Sequence, residues 1–419
     1  MDTGPHFEVK KLELAEQGQR NIELAEMEMG ALMKIRERFA REQPLKGVRV
    51  GMALHLTKET AVLVRTLRAG GADVAITGCN PLSAQDDVCA ALAKEGVKVW
   101  GYKGETKEDY YRYLNQVIAF RPQITIDDGC DLVTEIHTKH PDLLRDLWGG
   151  CEETTTGVVR LKAMEQEQAL RYPIVAVNDN RTKHLMDNFY GTGQSTLDGI
   201  MRASNILFAG KTVVVAGYGS CGKGVALRAR GMGSQVIVTE VDPFRALQAV
   251  MDGHRVMPMT EAARIGDIFI TVTGNKGILR KEHFQAMKSG AILANSGHFD
   301  VEIDLKALAT AGKKRQVRPS LDEYDLQGKK LFVAGEGRLV NLAAAEGHPS
   351  LVMSMSFCGQ ALAVEYLVTH RASLQPSVIS LPSSIDDAIS RLQLEAMGLN
   401  IDGLTAEQDA YAHAWKEGT

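Results

Sequence analysis

A glycine-rich loop between a predicted strand and a predicted helix constrains the fold of this chain more than any other feature. Gly217, Gly219 and Gly222 form the run GYGSCG, which follows the apolar segment KTVVVAG and opens a helical segment. Glycines at this spacing let the backbone approach a pyrophosphate, which the positive end of the helix then binds. Glu240 ends the next strand, 18 residues after Gly222, where a carboxylate accepts hydrogen bonds from a ribose diol. The segment therefore predicts a Rossmann domain that binds NAD, since Glu240 would repel the 2′-phosphate of NADP.

The segments around this loop alternate between strand and helix over most of the chain. Apolar runs such as GVRVGMALHL and PQITIDDG alternate with helical stretches before it, and a second series starts at Gly210. This alternation predicts an α/β fold with parallel sheets, and a long helical segment after Gly347 could return to the first sheet. We therefore expect two doubly wound parallel-sheet domains and a short C-terminal helical tail. The expected limits are a discontinuous substrate domain over 1–182 and 347–400, an inserted Rossmann NAD domain over 183–346, and the tail over 401–419.

Composition and residue spacing argue against several function classes. The net charge of −4 argues against a polyanion-binding surface, so we expect no nucleic-acid partner. No apolar run approaches the roughly 18 to 20 residues that span a bilayer, so we expect no membrane segment. The six cysteines are scattered without a CxxC motif, and the chain shows no spacing typical of metal ligands. We expect reduced thiols, a cytoplasmic location and no bound metal.

Two polar segments follow predicted strands, at the edge where α/β enzymes bind ligands. The first, DDGCDL, places Asp127, Asp128 and Asp131 after the apolar run ITI. These carboxylates could face the ligand crevice, and turn capping is the alternative, mainly for Asp127 and Asp128. The second, EETTTGVVRL, places Glu152 and Glu153 before three threonines. The threonines could simply cap a helix, whereas the adjacent acids offer a carboxylate to a sugar hydroxyl.

A third polar segment, NDNRTKHLMDN, carries a lysine and an acid at helical spacing. Lys183 and Asp187 are four residues apart and so share one helical face, with Asn188 beside them. The pair could be a surface ion pair worth roughly a few tenths of a kcal/mol. Alternatively, Lys183 has a pKa lowered enough to remove a proton from a hydroxyl. Spacing alone does not separate these two interpretations.

Three of the 11 histidines lie at the ends of predicted elements. His55 ends a strand in ALHLT, His298 follows a strand in NSGHFD, and His348 opens a helix in EGHPS. Ligands bind at such ends in α/β folds, so these three histidines are candidate site residues.

Taken together, these segments resemble the S-adenosyl-L-homocysteine hydrolase family, in the shorter branch of archaea and thermophilic bacteria. The matching stretches run in order over roughly residues 50–360: HLTKETAVL, NPLSAQDD, YKGET, DDGCDL, EETTTGVVRL, VNDNRTKHLMDNFYG, VVVAGYGSCGKG, VTEVDP, GHFDVEID and GEGRLVNLAAAEGHPSLVMSMSF. The resemblance implies reversible hydrolysis of S-adenosyl-L-homocysteine to adenosine and L-homocysteine. In that chemistry the ribose C3′ is oxidised with one tightly bound NAD per subunit, the C4′ proton is removed, homocysteine leaves, water adds, and the ketone is reduced again.

The resemblance also implies catalytic roles for particular residues. Lys183 matches the lysine at the 3′-hydroxyl, and Asp187 and Glu153 match the carboxylates that hold the ribose diol. Asp131 matches the acidic residue near C4′ and C5′, where a carboxylate suits general-base catalysis. His55 matches the acid and base for the leaving sulfur and the entering water.

Further positions follow from the same resemblance. His298 lies beside the catalytic histidine in the family pattern, while Thr57, Glu59 and His348 match positions around the purine. The implied NAD contacts are Thr154, Thr155, Thr156, Asn188, Gly217, Gly219, Ser220, Cys221, Gly222, Glu240, Asn275, Ser296, Gly297, His298 and Asn341.

The chain departs from many family members at four places. Thr192 replaces a cysteine, Arg245 replaces an asparagine that is often found after EVDP, and Met355 replaces an asparagine near the purine pocket. The tail ends AHAWKEGT instead of KPDHYRY, whose lysine and tyrosine reach the NAD of a neighbouring subunit, and Lys416 is the candidate replacement. The resemblance implies a homotetramer.

Some members of this branch act on S-inosyl-L-homocysteine, so the base is a separate question. An ionised Glu59 would accept a hydrogen bond from a 6-amino group and disfavour a 6-oxo group, whereas a protonated Glu59 would reverse that preference. We expect the adenosyl compound. The alternatives are an S-inosyl-L-homocysteine hydrolase, an ordinary NAD-dependent dehydrogenase and a non-catalytic NAD-binding relative. Asp131 and His55 argue against a dehydrogenase, because oxidation alone needs neither a base at C4′ nor an acid at sulfur.

Overall fold

The computed structural model describes residues 6–415, which form two eight-stranded sheets flanked by helices. Lys416 lies outside the described residues. The strands are β1 Phe7–Glu8, β2 Arg49–Ala53, β3 Asp73–Thr77, β4 Lys98–Trp100, β5 Ile124–Asp127, β6 Gly149–Glu152, β7 Ile174–Ala176, β8 Thr212–Ala216, β9 Gln235–Thr239, β10 Arg255–Val256, β11 Ile268–Thr271, β12 Ile292–Asn295, β13 Lys313–Arg318, β14 Leu321–Leu326, β15 Lys329–Ala334 and β16 Val378–Ile379.

The helices cover most of the residues between the strands, and a π-helix over Thr182–Gly191 precedes the eighth α-helix. The α-helices are α1 Ala15–Glu28, α2 Gly30–Glu42, α3 Lys58–Ala69, α4 Asp86–Lys94, α5 Lys107–Ala119, α6 Asp131–Lys139, α7 Thr155–Gln166, α8 Thr192–Ser204, α9 Ser220–Gly231, α10 Pro243–Met251, α11 Met259–Ala262, α12 Lys281–Ala286, α13 Leu305–Ala311, α14 Val340–Ala343, α15 Ser350–His370, α16 Ser383–Ala396 and α17 Ala406–Ala412.

The first sheet is wholly parallel and doubly wound. Its spatial order is β1-β4-β3-β2-β5-β6-β7-β16. After β1, which lies at the edge beside β4, the chain enters the centre at β2, winds outward to β4, and then returns to add β5, β6 and β7 on the other side. The reversal between β2 and β5 is a topological switch point, where the strand ends form a crevice. Strand β16 joins this sheet after the whole second sheet has been completed, because it pairs with β7. The residue limits of the domains stay predictions.

The second sheet repeats this winding and adds an antiparallel edge. Its order is β10-β9-β8-β11-β12-β15-β14-β13, and the first six strands are parallel in the Rossmann arrangement. Strand β14 is antiparallel to both β15 and β13, which the expectation of parallel strands did not include. The two residues between β14 and β15, Gln327 and Gly328, both have positive φ, 57° and 95°. Two such residues form the tight turn that an antiparallel hairpin requires.

Helix α15 lies in the hydrophobic core of the part of the structure that is built around the first sheet. By length and composition this helix could cross a membrane, although we expected no membrane segment from the sequence. However, 61% of its most apolar window is buried, and it packs against α2, α3 and β6. Ser356 and Gln360 lie on the same helix and are also fully buried. Their burial is tolerated because both donate hydrogen bonds to Glu153.

Candidate active site

A cavity of about 1230 Å³ lies where the carboxyl ends of strands from both sheets meet. His55 follows β2, Asp128 follows β5 and Glu153 follows β6, and the facing wall consists of the loops after β8, β9, β11 and β12. The two switch points therefore share one crevice, as expected for doubly wound sheets. The predicted residues that line it are His55, Thr57, Glu59, Glu153, Thr154, Thr155, Thr156, Lys183, Asp187, Asn188, Gly217, Gly219, Ser220, Cys221, Glu240, Asn275, Ser296, Gly297, His298, Asn341 and His348.

A buried lysine at the centre of the cavity contacts three acceptors. The Nζ atom of Lys183 lies 3.1 Å from Glu153 Oε1 and donates hydrogen bonds to Asn188 Oδ1, at 3.0 Å, and to Asp187 Oδ2. Asp187 also contacts His348 Nδ1. The π-helix explains the arrangement, because its wider turn places Lys183, Asp187 and Asn188 on one face, and such turns are frequent at functional sites.

The charge state of this lysine differs from the expectation. Burial alone would lower the pKa of Lys183, but the carboxylates of Asp187 and Glu153 raise it above its ordinary value. The hypothesis of a lowered lysine pKa is therefore wrong, and Lys183 is an ammonium. The surface-pair alternative is also wrong, because the side chains of Lys183 and Asp187 are only 7% and 0% exposed. Burial raises the pKa of Glu153, against the opposing effect of Lys183.

Two histidines and an aspartate form a second group beside the lysine. Asp128 Oδ2 lies 3.4 Å from His55 Nε2, and Asp128 Oδ1 lies 3.6 Å from His298 Nδ1. On its other side, His55 Nδ1 lies 2.8 Å from Ser83 Oγ and 3.2 Å from Cys79 Sγ. Burial lowers the pKa of His55 to about 4, although Asp128 acts in the opposite direction. His55 is therefore a neutral imidazole near pH 7, next to a carboxylate.

Asp131, the predicted acid near C4′, does not line the cavity; Asp128 does. Asp131 is the first residue of α6 and accepts hydrogen bonds from Arg160 Nη1 at 2.6 Å and Tyr110 Oη at 3.0 Å. Asp128 directly follows β5 and so reaches the strand-end crevice, whereas three residues later the chain is already helical. Between them, Gly129 has φ 108°, and a Cβ there would collide with the ring of His298. Proximity to the strand end was the signal that favoured Asp128.

The turn-capping alternative applies to Asp127. This fully buried carboxylate accepts hydrogen bonds from the backbone N–H groups of Asp128 at 3.0 Å and Val133 at 2.9 Å. Glu152 plays a similar part, accepting from Gly129 N at 2.9 Å and Thr154 N at 3.0 Å. Burial raises the pKa of Asp127 to about 7. These two acids therefore fix the loop that presents Asp128.

One end of the cavity is apolar with a few polar groups. Leu54, Met353 and Phe357 line it, together with Thr57 and Glu59. Thr57 caps α3, because its side chain accepts from the backbone N–H of Thr60, and this places Glu59 in the first turn of the helix. Apolar walls with one or two polar groups suit a flat heterocycle such as a purine. Met353 and Phe357 were not selected from the sequence, because they come from a helix whose apolar residues are mostly core.

The other end of the cavity has the features of a dinucleotide site. Gly217 has φ 102°, and α9 begins at Ser220 with its N-terminus directed at the loop. Gly222 does not line the cavity; a Cβ there would collide with the carbonyl of Gly217, so this glycine permits close packing of the helix. Glu240 Oε2 accepts from Tyr218 N at 2.7 Å, which holds the carboxylate beside the glycine loop.

A buried amide supports the fit of a nicotinamide cofactor. Asn341 donates to Ser195 Oγ at 3.1 Å, while its Oδ1 atom has no hydrogen-bond partner within residues 6–415. Because Asn341 also lines the cavity, this acceptor is available to a donor from a ligand. The carboxamide of NAD provides one, and Glu240 at the far end suits a ribose diol. The residues present therefore fit NAD.

His55, Asp128 and His298 also have the spacing of a metal-binding group. Each offers one ligand atom, and these atoms all lie within 4.8 Å of one another. The three residues come from distant parts of the chain, so no sequence spacing could show this group. The expectation that no metal binds stays a prediction.

Comparison with known proteins agrees with this geometry. Residues 6–141 match the family described as S-adenosyl-L-homocysteine hydrolase, and residues 188–347 match its NAD binding domain. The chain is 58% identical over 414 residues to S-inosyl-L-homocysteine hydrolase of Methanocaldococcus jannaschii, which covers 99% of this chain and 100% of that protein. It is 56% identical to adenosylhomocysteinases of Sulfurisphaera tokodaii over 415 residues and of Aquifex aeolicus over 416, with the same coverage.

Proposed function

The chain belongs to the S-adenosyl-L-homocysteine hydrolase family and is an NAD-dependent hydrolase, and we propose that its substrate is S-adenosyl-L-homocysteine, cleaved reversibly to adenosine and L-homocysteine. The observation that carries this proposal is the pairing of two buried groups in one cavity. The Lys183 cluster suits a ribose diol, and the group of His55, Asp128 and His298 suits proton transfer at a neighbouring carbon. An oxidation of the diol alone would not use the group of His55, Asp128 and His298.

The lysine cluster binds the ribose and moves the 3′-hydroxyl proton. When bound, NAD supplies reversible oxidation at C3′, and Asn341, Glu240 and the glycine loop would hold it. Lys183 is an ammonium, so it must release a proton before it can accept one from the hydroxyl. Glu153 lies 3.1 Å from Nζ, and burial raises its pKa, which makes it the acceptor for that proton. Asp187 stays ionised between Lys183 and His348 and orients the second hydroxyl.

Asp128 and His55 act at C4′ and C5′. The ketone at C3′ acidifies the C4′ proton, and the Asp128 carboxylate removes it. His55 lies 3.4 Å from Asp128, so a proton can pass between the two and reach the leaving sulfur of homocysteine. In the second half of the reaction, neutral His55 accepts a proton from the water that adds at C5′. Ser83 and Cys79 hold the other ring nitrogen and so fix the orientation of the imidazole.

The identity of the purine separates two candidate substrates. Glu59 is 1% exposed and lines the apolar end of the cavity, where a carboxylate accepts a hydrogen bond from a 6-amino group. The relative from Methanocaldococcus jannaschii is an S-inosyl-L-homocysteine hydrolase, which makes the inosyl compound the second candidate.

The deciding experiment measures homocysteine release by the purified holoenzyme from each thioether. We expect a higher kcat/KM for S-adenosyl-L-homocysteine, with no net reduction of NAD. A higher value for the inosyl compound would refute the adenosine assignment. Reduced cofactor that accumulated in step with turnover would instead identify a dehydrogenase.

We also propose that the chain forms a homotetramer in the cytoplasm. An exposed apolar face on α10, made by Phe244, Leu247 and Met251, supports self-association, because such patches mark interfaces. The six cysteines are free thiols, which is the state that reducing compartments maintain. Light scattering coupled to size-exclusion chromatography tests the assembly: four times the chain mass of 45.7 kDa is expected, and a monomer would refute it.

A further inference from the structure

A lysine outside the reacting centre contacts the carboxylate at the purine end. Lys58 Nζ lies 3.4 Å from Glu59 Oε1 and 3.0 Å from Glu346 Oε2. Its side chain is 13% exposed, so water screens these contacts only in part. Burial alone would lower the pKa of Lys58, but Glu59 and Glu346 raise it, and the side chain is an ammonium.

Glu346 anchors this lysine from another part of the chain. Its second oxygen, Oε1, accepts from Arg202 Nη1 at 3.1 Å, and its backbone carbonyl accepts from Gln85 Nε2 at 3.3 Å. Gln85 in turn accepts a hydrogen bond from the backbone N–H of Lys58 at 3.0 Å. The start of α3 is therefore fixed to the segment that leads into α15.

The same segment supplies a second contact to the carboxylate. Ser350 Oγ donates to Glu59 Oε1 at 2.6 Å, so the lysine and the serine both engage this oxygen. Glu59 also lines the cavity, where its remaining oxygen can meet a ligand. Lys58 and Ser350 both engage Oε1, so the other oxygen, Oε2, is the atom of Glu59 that can accept a hydrogen bond from a ligand.

We propose that Lys58 is a positioning residue for purine selection: anchored by Glu346, its ammonium keeps Glu59 a hydrogen-bond acceptor and so favours a 6-amino over a 6-oxo purine. This inference rests on the proposed hydrolase function and specifies how that site discriminates between bases. Lys58 does not line the cavity, so it acts through Glu59 and not by touching substrate.

The test compares kcat/KM for S-adenosyl- and S-inosyl-L-homocysteine in the wild-type holoenzyme and three variants. Lys58→Met keeps most of the length of the side chain and removes its charge, and Lys58→Arg retains the charge. Lys94→Met, an exposed position in α4, is the matched control. We expect Lys58→Met to lower the adenosyl-to-inosyl ratio about tenfold, since a hydrogen bond to a charged acceptor is stronger than one to a neutral acceptor. Lys58→Arg should restore most of the ratio, and Lys94→Met should not change it.

The lower ratio in Lys58→Met should come from a higher KM for the adenosyl compound. Its kcat should change less than about twofold, because Lys58 is remote from the reacting atoms. Equal loss of kcat on both thioethers in Lys58→Met would indicate a structural effect and overturn the inference, as would an unchanged ratio. A wild type that releases homocysteine from neither compound would instead refute the proposed function itself.

Discussion

Replacing Asp128 or Asp131 by asparagine separates the residue next to the reacting atoms from its neighbour in the sequence. Both changes keep the shape of the side chain and remove its charge. Asp128 contacts His55 and His298 in the cavity, whereas Asp131 does not line the cavity and is held by Arg160 and Tyr110. We therefore expect Asp128→Asn to lose the base at C4′ and Asp131→Asn to stay active.

The structure sets the size of both effects. A positioned general base contributes about 10²- to 10⁴-fold, so Asp128→Asn should lower kcat by that factor, or about 3 to 5 kcal/mol of transition-state stabilisation. The side chain of Asp131 is 25% exposed, and its partner Arg160 is 33% exposed. An ion pair with this exposure is worth about 1 kcal/mol in stability, and Asp131→Asn should change kcat less than about threefold.

Two assays distinguish base catalysis from general damage to the site. The first measures homocysteine release. The second follows deuterium exchange at C4′ of adenosine in heavy water by proton NMR, alongside the absorbance change when adenosine is oxidised at C3′. We expect Asp128→Asn to retain the oxidation and to lose the exchange. An Asp131→Asn variant that lost exchange, beside an Asp128→Asn variant that kept it, would refute this assignment.

Three further predictions concern the lysine, the cofactor site and a buried acid. Lys183→Met should lower homocysteine release at least about 10²-fold, because the 3′-hydroxyl loses the amine that accepts its proton; activity within threefold of wild type would contradict this role. Glu240→Gln should weaken NAD binding about tenfold and reduce discrimination against NADP, as measured by reconstitution of the apoenzyme; unchanged affinities would contradict the diol contact. Glu105 is buried, and burial raises its pKa to about 8, although the backbone of Tyr102 acts in the opposite direction. Its folded pKa exceeds the unfolded value, so its contribution to stability is full below about pH 4.5 and is lost as pH rises to about 8. The free energy of unfolding of Glu105→Gln, relative to that of wild type, should therefore rise by roughly 3 kcal/mol between pH 5 and pH 8, as measured by thermal melts at several pH values. The exposed control Glu108→Gln should show no such rise. Parallel stability curves for Glu105→Gln and wild type would show that this acid does not titrate as described.

Much of the fold was predictable because its signals are local. The GYGSCG loop, the strand before it and Glu240 lie within about 30 residues, and turn geometry and helix polarity act over that distance. The antiparallel strands β13 and β14 at one edge of the second sheet were not predicted, although the turn at Gln327 and Gly328 is a hairpin signal. An added edge strand is set by pairing with a neighbour, which periodicity within one segment does not report.

The sequence by itself determined the family, the NAD site and most of the residues that line the cavity, because these follow from contiguous motifs at the ends of strands. Only the tertiary structure decided which aspartate faces the substrate and which way the pKa of Lys183 moves. Asp128 and Asp131 are three residues apart, yet one directly follows a strand and the other begins a helix. Lys183 is an ammonium because Glu153, which follows β6, and Asp187, which lies in the same π-helix, enclose it with negative charge. A protonation state depends on the field of groups brought together by folding, and spacing along the chain does not encode that field.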